Sequence, residues 1–164
     1  AGKQGVVNTS VMNEAINVMT SLNKAAAEAM VEVGVNSCSD VTGFGLLGHL
    51  LEMTEGSRVS AAINRAAVPV IDGTLDLISE GIAPGGTLRN LEAIEPHVSW
   101  SNNISQNDRV LLADAQTSGG LLISVSETNT KQLLKVLEDK GIGNAVIIGK
   151  IKEYSRAENS IYVY

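Results

Sequence analysis

The sequence predicts an α/β (α+β) fold, with helices packed on a layered mixed β-sheet. Apolar residues recur with the helical period in some stretches and run continuously in others, and the two kinds interleave along 164 residues. Hydrophobic residues make up 44% and charged residues 18%, a globular mix that excludes disorder and fibrous repeats. Aromatics are only 3%, so the core must come from Ala, Val, Ile, Leu and Met. At about 100–200 residues per domain, the chain is expected to form a single domain.

In residues 8–33, Val11, Ala15, Val18, Leu22, Ala25, Ala29 and Val33 recur at steps of three and four, which predicts one amphipathic helix stopped by Gly34. A polar stretch over 36–40 and a glycine-broken turn follow. Leu46, Leu47, Leu50, Leu51 and Met53 predict a second helix, closed by Gly56. Residues 58–63 read as a strand, Pro69 as a stop, and residues 72–80 as a helix. Residues 81–105 hold Pro84, Gly85, Gly86 and Pro96 and read as an irregular excursion or lid. Residues 107–112 predict a helical turn, and 121–125 a buried strand. Residues 128–140 predict a helix with Leu133, Leu134 and Leu137 inward, capped by Gly141. Residues 145–151 and 160–164 read as two closing strands around a turn at 156–159. Met12, Met19, Met30 and Met53 read as core filler.

The net charge of −6 has the wrong sign for binding nucleic acid, and one Trp makes no base-stacking platform. Cys38 is the single cysteine, so neither an internal disulfide nor a cysteine zinc cage can form, as suits a reducing cytoplasm. No apolar run reaches the roughly 18 residues that span a bilayer, and the N-terminus lacks a signal-peptide order, so no membrane partner is expected. The start at Ala1, without a methionine and in a polar segment, suggests processing or excision from something longer.

The densest feature is Asp-Val-Thr-Gly-Phe-Gly-Leu-Leu-Gly-His over 40–49. Gly43, Gly45 and Gly48 spell the dinucleotide fingerprint, but the acidic residue expected about 20 residues later is replaced by Ile63-Asn64-Arg65, which disfavours a Rossmann site. Asp40 before exposed amides instead suits Mg²⁺ beside phosphate oxygens. Helix capping by Asp40 or Thr42 accounts for the same residues without any ligand and is the commoner arrangement.

Two further strings matter. Asp114-Ala115-Gln116-Thr117-Ser118-Gly119-Gly120 makes an anion nest or an ordinary turn. Pro84-Gly85-Gly86-Thr87-Leu88-Arg89-Asn90 sets Arg89 beside a loop, as a phosphate clamp or as a solvated arginine. His49 on an apolar helix reads as structural, His97 is unassigned, and Cys38 reads as a small buried residue rather than a nucleophile.

Taken together, the strings at 40–49, 84–90 and 116–122 resemble the C-terminal half of selenophosphate synthetase (selenide, water dikinase), in the aminoimidazole ribonucleotide synthetase superfamily. The resemblance covers nearly the whole chain. It implies a C-terminal domain of the aminoimidazole ribonucleotide synthetase type. The parent enzyme would make selenophosphate, AMP and orthophosphate from ATP, selenide and water. It further implies Mg²⁺-ATP bound between two domains of a cytoplasmic homodimer. Asp40 would be a magnesium ligand, Thr42, Gly43 and Gly45 would line the crevice, and Thr117, Ser118, Gly119 and Gly120 would lie nearby. The family's glycine-rich N-terminal segment, with its reactive cysteine or selenocysteine and its lysine, has no counterpart here, so the domain alone is expected to be inactive. Ala115 stands where the family commonly has proline. A related small-metabolite kinase or synthetase, and a non-catalytic regulatory module, are the alternatives.

Overall fold

The helical period of residues 8–33 resolves into two helices, α1 (Thr9–Thr20) and α2 (Lys24–Val33), in a computed structural model that describes residues 1–2, 5–154 and 159–164. The break falls at Ser21, whose backbone is extended. The Thr20 and Ser21 hydroxyls donate to the carbonyls of Ile16 and Asn17 at 2.8 Å each, so local side chains satisfy the last turn and let the helix stop. The apolar stripe of α1 only half-buries Val11, Met12 and Ala15, and Leu22 is 83% exposed. Gly34 ends α2 in a positive-φ conformation, as expected.

The polar stretch after α2 is a strand, β1 (Ser37–Asp40), which the sequence did not predict because Ser-Cys-Ser-Asp carries no β-branched residue. It is made by pairing antiparallel with β4 (Leu121–Ser124), Asp40 opposite Leu121. The helix α3 (Gly45–Ser57) runs through Gly56 and stops at Arg58, which takes the left-handed cap at φ 52°. The strand β2 (Val59–Ile63) and the short helix α4 (Thr74–Ser79) fall where the sequence places them.

Residues 81–105 are not a lid. They hold α5 (Gly85–Ile94), a 3₁₀ turn (Glu95–His97) and β3 (Val98–Trp100). Pro84 and the two glycines mark the start of a helix, and Thr87, Leu91 and Ile94 bury one face at i, i+4 and i+7. The inward Thr87 hid that period from an apolar count. The helix α6 (Gln106–Leu112) starts at a capping box of Ser105 and Asp108, and α7 (Glu127–Asp139) buries Leu133 and Leu137.

The strands β5 (Gly149–Glu153) and β6 (Ile161–Val163) are not neighbours. The mixed sheet runs β3-β6-β2-β5, with β2 antiparallel to β5 and parallel to β6, and β6 parallel to β3. In β2, residues 60–63 are all buried, which places it centrally and inserts it between the two closing strands. Of the turn expected at 156–159, residues 156–158 lie outside the described residues. One core joins Leu47 and Leu50 of α3, Leu91 of α5 and Leu112 of α6 to Ile63, Ile161 and Val163 of the sheet. A second joins α2 and α7 through Ala29, Leu133 and Leu137 against Leu121 and Ile123 of β4. Among the methionines Met53 packs on the first core, whereas Met19 is exposed.

Candidate functional site

The three sequence strings meet at the start of α3. Val41 N donates to Gly120 O at 2.9 Å, Gly119 N to Val41 O at 3.1 Å and Gln116 N to Thr42 O at 3.0 Å, so the 40–45 and 116–120 loops lie in backbone contact. Glycine makes that contact possible. A Cβ on Gly45, which sits at φ +70°, would stand 2.7 Å from the Ala113 carbonyl, and one on Gly119 would collide with Val41 O. Gly43 meets nothing within 4 Å, so the loop is open on that side.

α5 closes the arrangement from behind. Asn90 Nδ2 donates to Gly43 O at 2.8 Å and to Ala113 O at 3.1 Å. One turn earlier the fully buried Thr87 donates to Asp114 Oδ1 at 2.7 Å and accepts from Ala115 N at 3.2 Å. Gln116 Nε2 donates to Asp114 Oδ2 at 2.9 Å. Burial pushes the Asp114 carboxyl above its ordinary range, against the lowering pull of the hydrogen bonds from Thr87, Gln116 and Ala115. Thr87, Asn90 and Asp114 lie within the strings at 84–90 and 114–120, and sequence reasoning gives them no role of their own. The available signal was the i, i+3 spacing of Thr87 and Asn90, which puts both on one helix face.

The glycine fingerprint is not a Rossmann turn, because the preceding β1 pairs antiparallel in a two-stranded sheet. Nor does a side chain cap α3. Its N-cap is Phe44, which makes no capping hydrogen bond, and no acidic residue occupies the first turn. The Thr42 hydroxyl instead lies 3.2 Å from His49 Nε2, while His49 Nδ1 lies 3.1 Å from Glu52. The Glu52 carboxylate only accepts, so Nδ1 carries a proton, and in the neutral ring Nε2 accepts from Thr42. His49 is therefore a buried structural side chain. With no side-chain cap, the first turn of α3 leaves the backbone N–H groups that follow Gly45 to meet an anion, Gly45 N itself donating to Thr42 O.

Asp40 is exposed at the end of β1 and contributes one carboxylate to this rim. Mg²⁺ takes six oxygens in near-octahedral geometry, and among the described residues no group of three His, Cys, Asp or Glu side chains is gathered. One exposed carboxylate can supply one ligand to a magnesium ion, not a complete site.

The remaining expectations divide. Thr117 and Ser118 are exposed, Ser118 at φ 59°, and among the described residues neither side chain makes a hydrogen bond. Arg89 is exposed on α5 and makes no ion pair among the described residues. His97 Nδ1 lies 3.7 Å from Glu55. Cys38 is exposed, not buried, because β1 alternates its side chains and presents it outward; local desolvation and then the Asp40 charge push its thiol up, away from nucleophile behaviour. No described helix is long and apolar enough to cross a membrane.

The family described as AIR synthase related protein, C-terminal domain, matches residues 4–158. The selenide, water dikinase of Caldanaerobacter subterraneus subsp. tengcongensis is 41% identical over 169 residues, covering 97% of this chain and 48% of that protein. Those of Carboxydothermus hydrogenoformans and Clostridioides difficile are each 41% identical, covering 85% and 92% of this chain and 40% and 43% of theirs. The chain thus spans less than half the length of these curated relatives. The crystal structure of hydrogenase maturation protein HypE superposes with a TM-score of 0.57 over 84% of this chain and 35% of that one, at 21% identity, a likeness of fold alone. On the family match over almost its whole length, this chain belongs to the AIR synthase-related C-terminal domains.

Proposed function

We propose that this chain is the C-terminal domain of a selenophosphate synthetase, the enzyme that converts ATP, selenide and water into selenophosphate, AMP and orthophosphate. The observation that carries the reading is the convergence of the 40–49, 84–90 and 114–120 strings on one hydrogen-bonded rim, in a chain about 40% identical to several selenide, water dikinases.

Phosphoryl transfer demands charge neutralisation and alignment of the polyphosphate. Bound magnesium would supply that neutralisation, and Asp40 would hold it through one carboxylate oxygen. The open side over Gly43 and the free N–H groups at the start of α3 receive phosphate oxygens, with Thr42 and Gly45 fixing the loop. Thr117, Ser118 and Gly119 flank the same rim. The incomplete ligand set on this chain supports a site shared with an N-terminal domain of the same enzyme, which brings the nucleophile and lysine, in a cytoplasmic homodimer. The isolated domain is then inactive.

Phosphorus NMR of the full-length protein with Mg²⁺-ATP, with and without selenide, tests this. A selenide-dependent selenophosphate signal is expected from the full-length protein and none from the 164-residue chain. Asp40→Asn should lower turnover by more than about a hundredfold, the scale of removing one preorganised electrostatic contact at a reacting centre. If selenide changes nothing, the selenium assignment fails and a small-metabolite kinase takes its place. Turnover unchanged by Asp40→Asn removes the metal role.

A further inference from the structure

We infer that Asn90 is a positioning residue, whose carboxamide fixes the 42–44 loop against the 113–116 turn and thereby sets the phosphate-receiving start of α3. Asn90 touches no reacting atom in this reading, which rests on the function proposed above.

Chemistry selects asparagine. Both groups it meets, Gly43 O and Ala113 O, are carbonyls and only accept, so the bridging group must offer two N–H bonds from one atom. Serine has one donor, aspartate has none and would set a charge against two carbonyl dipoles, and glutamine is one methylene too long for a gap already closed at 2.8 Å. The two loops it joins approach so closely at Gly45 that no Cβ fits. A hydrogen-bonded ring then closes. Asn90 holds Gly43, Thr87 on the same face of α5 holds Asp114 and Ala115, and Gln116 returns through its backbone N–H to Thr42 O. Thr42 O also accepts from Gly45 N at 3.0 Å, the residue that opens α3. The ring therefore ends on the residue that opens the uncapped first turn of α3.

The test separates positioning from plain stability. In the 164-residue chain, amide hydrogen exchange is followed at Gly45 and Gln116, both bonded to Thr42 O, and at Ala61, bonded to Ser160 O within the core sheet. Asn90→Asp and Asn90→Ala should speed exchange at Gly45 and Gln116 about tenfold, the scale of one lost hydrogen bond, and leave Ala61 unchanged. Leu133→Ala, in the second core, is the stability control. In the full-length enzyme Asn90→Asp should raise the KM for Mg²⁺-ATP about tenfold with a smaller change in kcat, and Leu133→Ala should change neither. Wild-type exchange at both amides overturns the inference, as does uniformly faster exchange like that of Leu133→Ala. A wild-type KM in Asn90→Asp overturns it as well. If the unmodified enzyme shows no selenide-dependent turnover, the proposed function falls by itself, and the exchange pattern still decides whether Asn90 positions the loops.

Discussion

Two aspartates at the opposite ends of α6, one in its first turn and one just past its last, are treated oppositely by the fold. Asp108, in its first turn, closes the capping box with Ser105 and accepts from Arg65 Nε at 2.7 Å, the two side chains being 20% and 14% exposed. Burial alone would raise its carboxyl, but the hydrogen bonds from Ser105 and Arg65 and the guanidinium charge outweigh it and hold the group below its ordinary range. Asp114, just past the other end, is held only by neutral groups, and among the described residues no cation pairs with it. Its carboxyl is pushed up instead. A carboxylate answered by a cation serves the fold, whereas one held by a hydroxyl and an amide keeps its charge uncompensated beside the rim proposed above to receive a metal nucleotide.

The sharpest way to break this contrast is Arg65→Ala, which strands Asp108 as a partly buried charge. About 2–4 kcal/mol of stability should be lost in urea unfolding, with the Gly45 and Gln116 amides exchanging as before. A loss under about 1 kcal/mol would show the pair to be an ordinary surface bridge. Thr87→Val comes next. It keeps the shape of a fully buried side chain but leaves Asp114 Oδ1 and Ala115 N short of a partner, so about 1–3 kcal/mol should go, and Thr87→Ser should recover most of it. Equal stability of the Val and Ser variants would remove Thr87 from the ring.

Acid titration should show the two aspartates with opposite signs. Asp108 binds its proton less readily folded than unfolded, so its contribution is present above the ordinary carboxyl value, near about 3.9, and lost as pH falls through its lower folded value. Asp114 binds its proton more readily folded. Between that ordinary value and its raised folded one, stability falls as pH rises. Carboxyl-carbon NMR should therefore place the Asp114 midpoint above that of Asp108, and the reverse order would invert the reading of both ends of α6.

The same division explains what the sequence could reveal. α7 was legible because Leu133 and Leu137 repeat on one face while Lys131, Lys135, Glu138 and Asp139 hold the other in water. The loop glycines were legible because a tight approach admits little else. The split between α1 and α2 was not, since the apolar period runs straight through it and only the Thr20 and Ser21 hydroxyls end the helix. β1 was hidden because its pairing is decided by β4, some eighty residues away in sequence. Asn90 and Thr87 were hidden for a related reason. Their partners lie on distant loops, and no local pattern tells an inward asparagine from a solvated one.

Asp40 supplies the smallest expected effect on folding. It is exposed at the end of β1, with no cation paired to it among the described residues and without the burial of Asp114. Asp40→Asn should shift the unfolding free energy by less than about 0.5 kcal/mol. Its electrostatic reach should still be measurable at Cys38, two residues away on the same strand, whose thiol is held up first by local desolvation and second by the Asp40 charge. Removing that charge leaves desolvation in place and eases thiolate formation, so Cys38 should react faster with a neutral thiol reagent at fixed pH. An unchanged rate would mean that solvent screens Asp40 from its own strand, and the metal role proposed for this carboxylate would then rest on direct ligation alone.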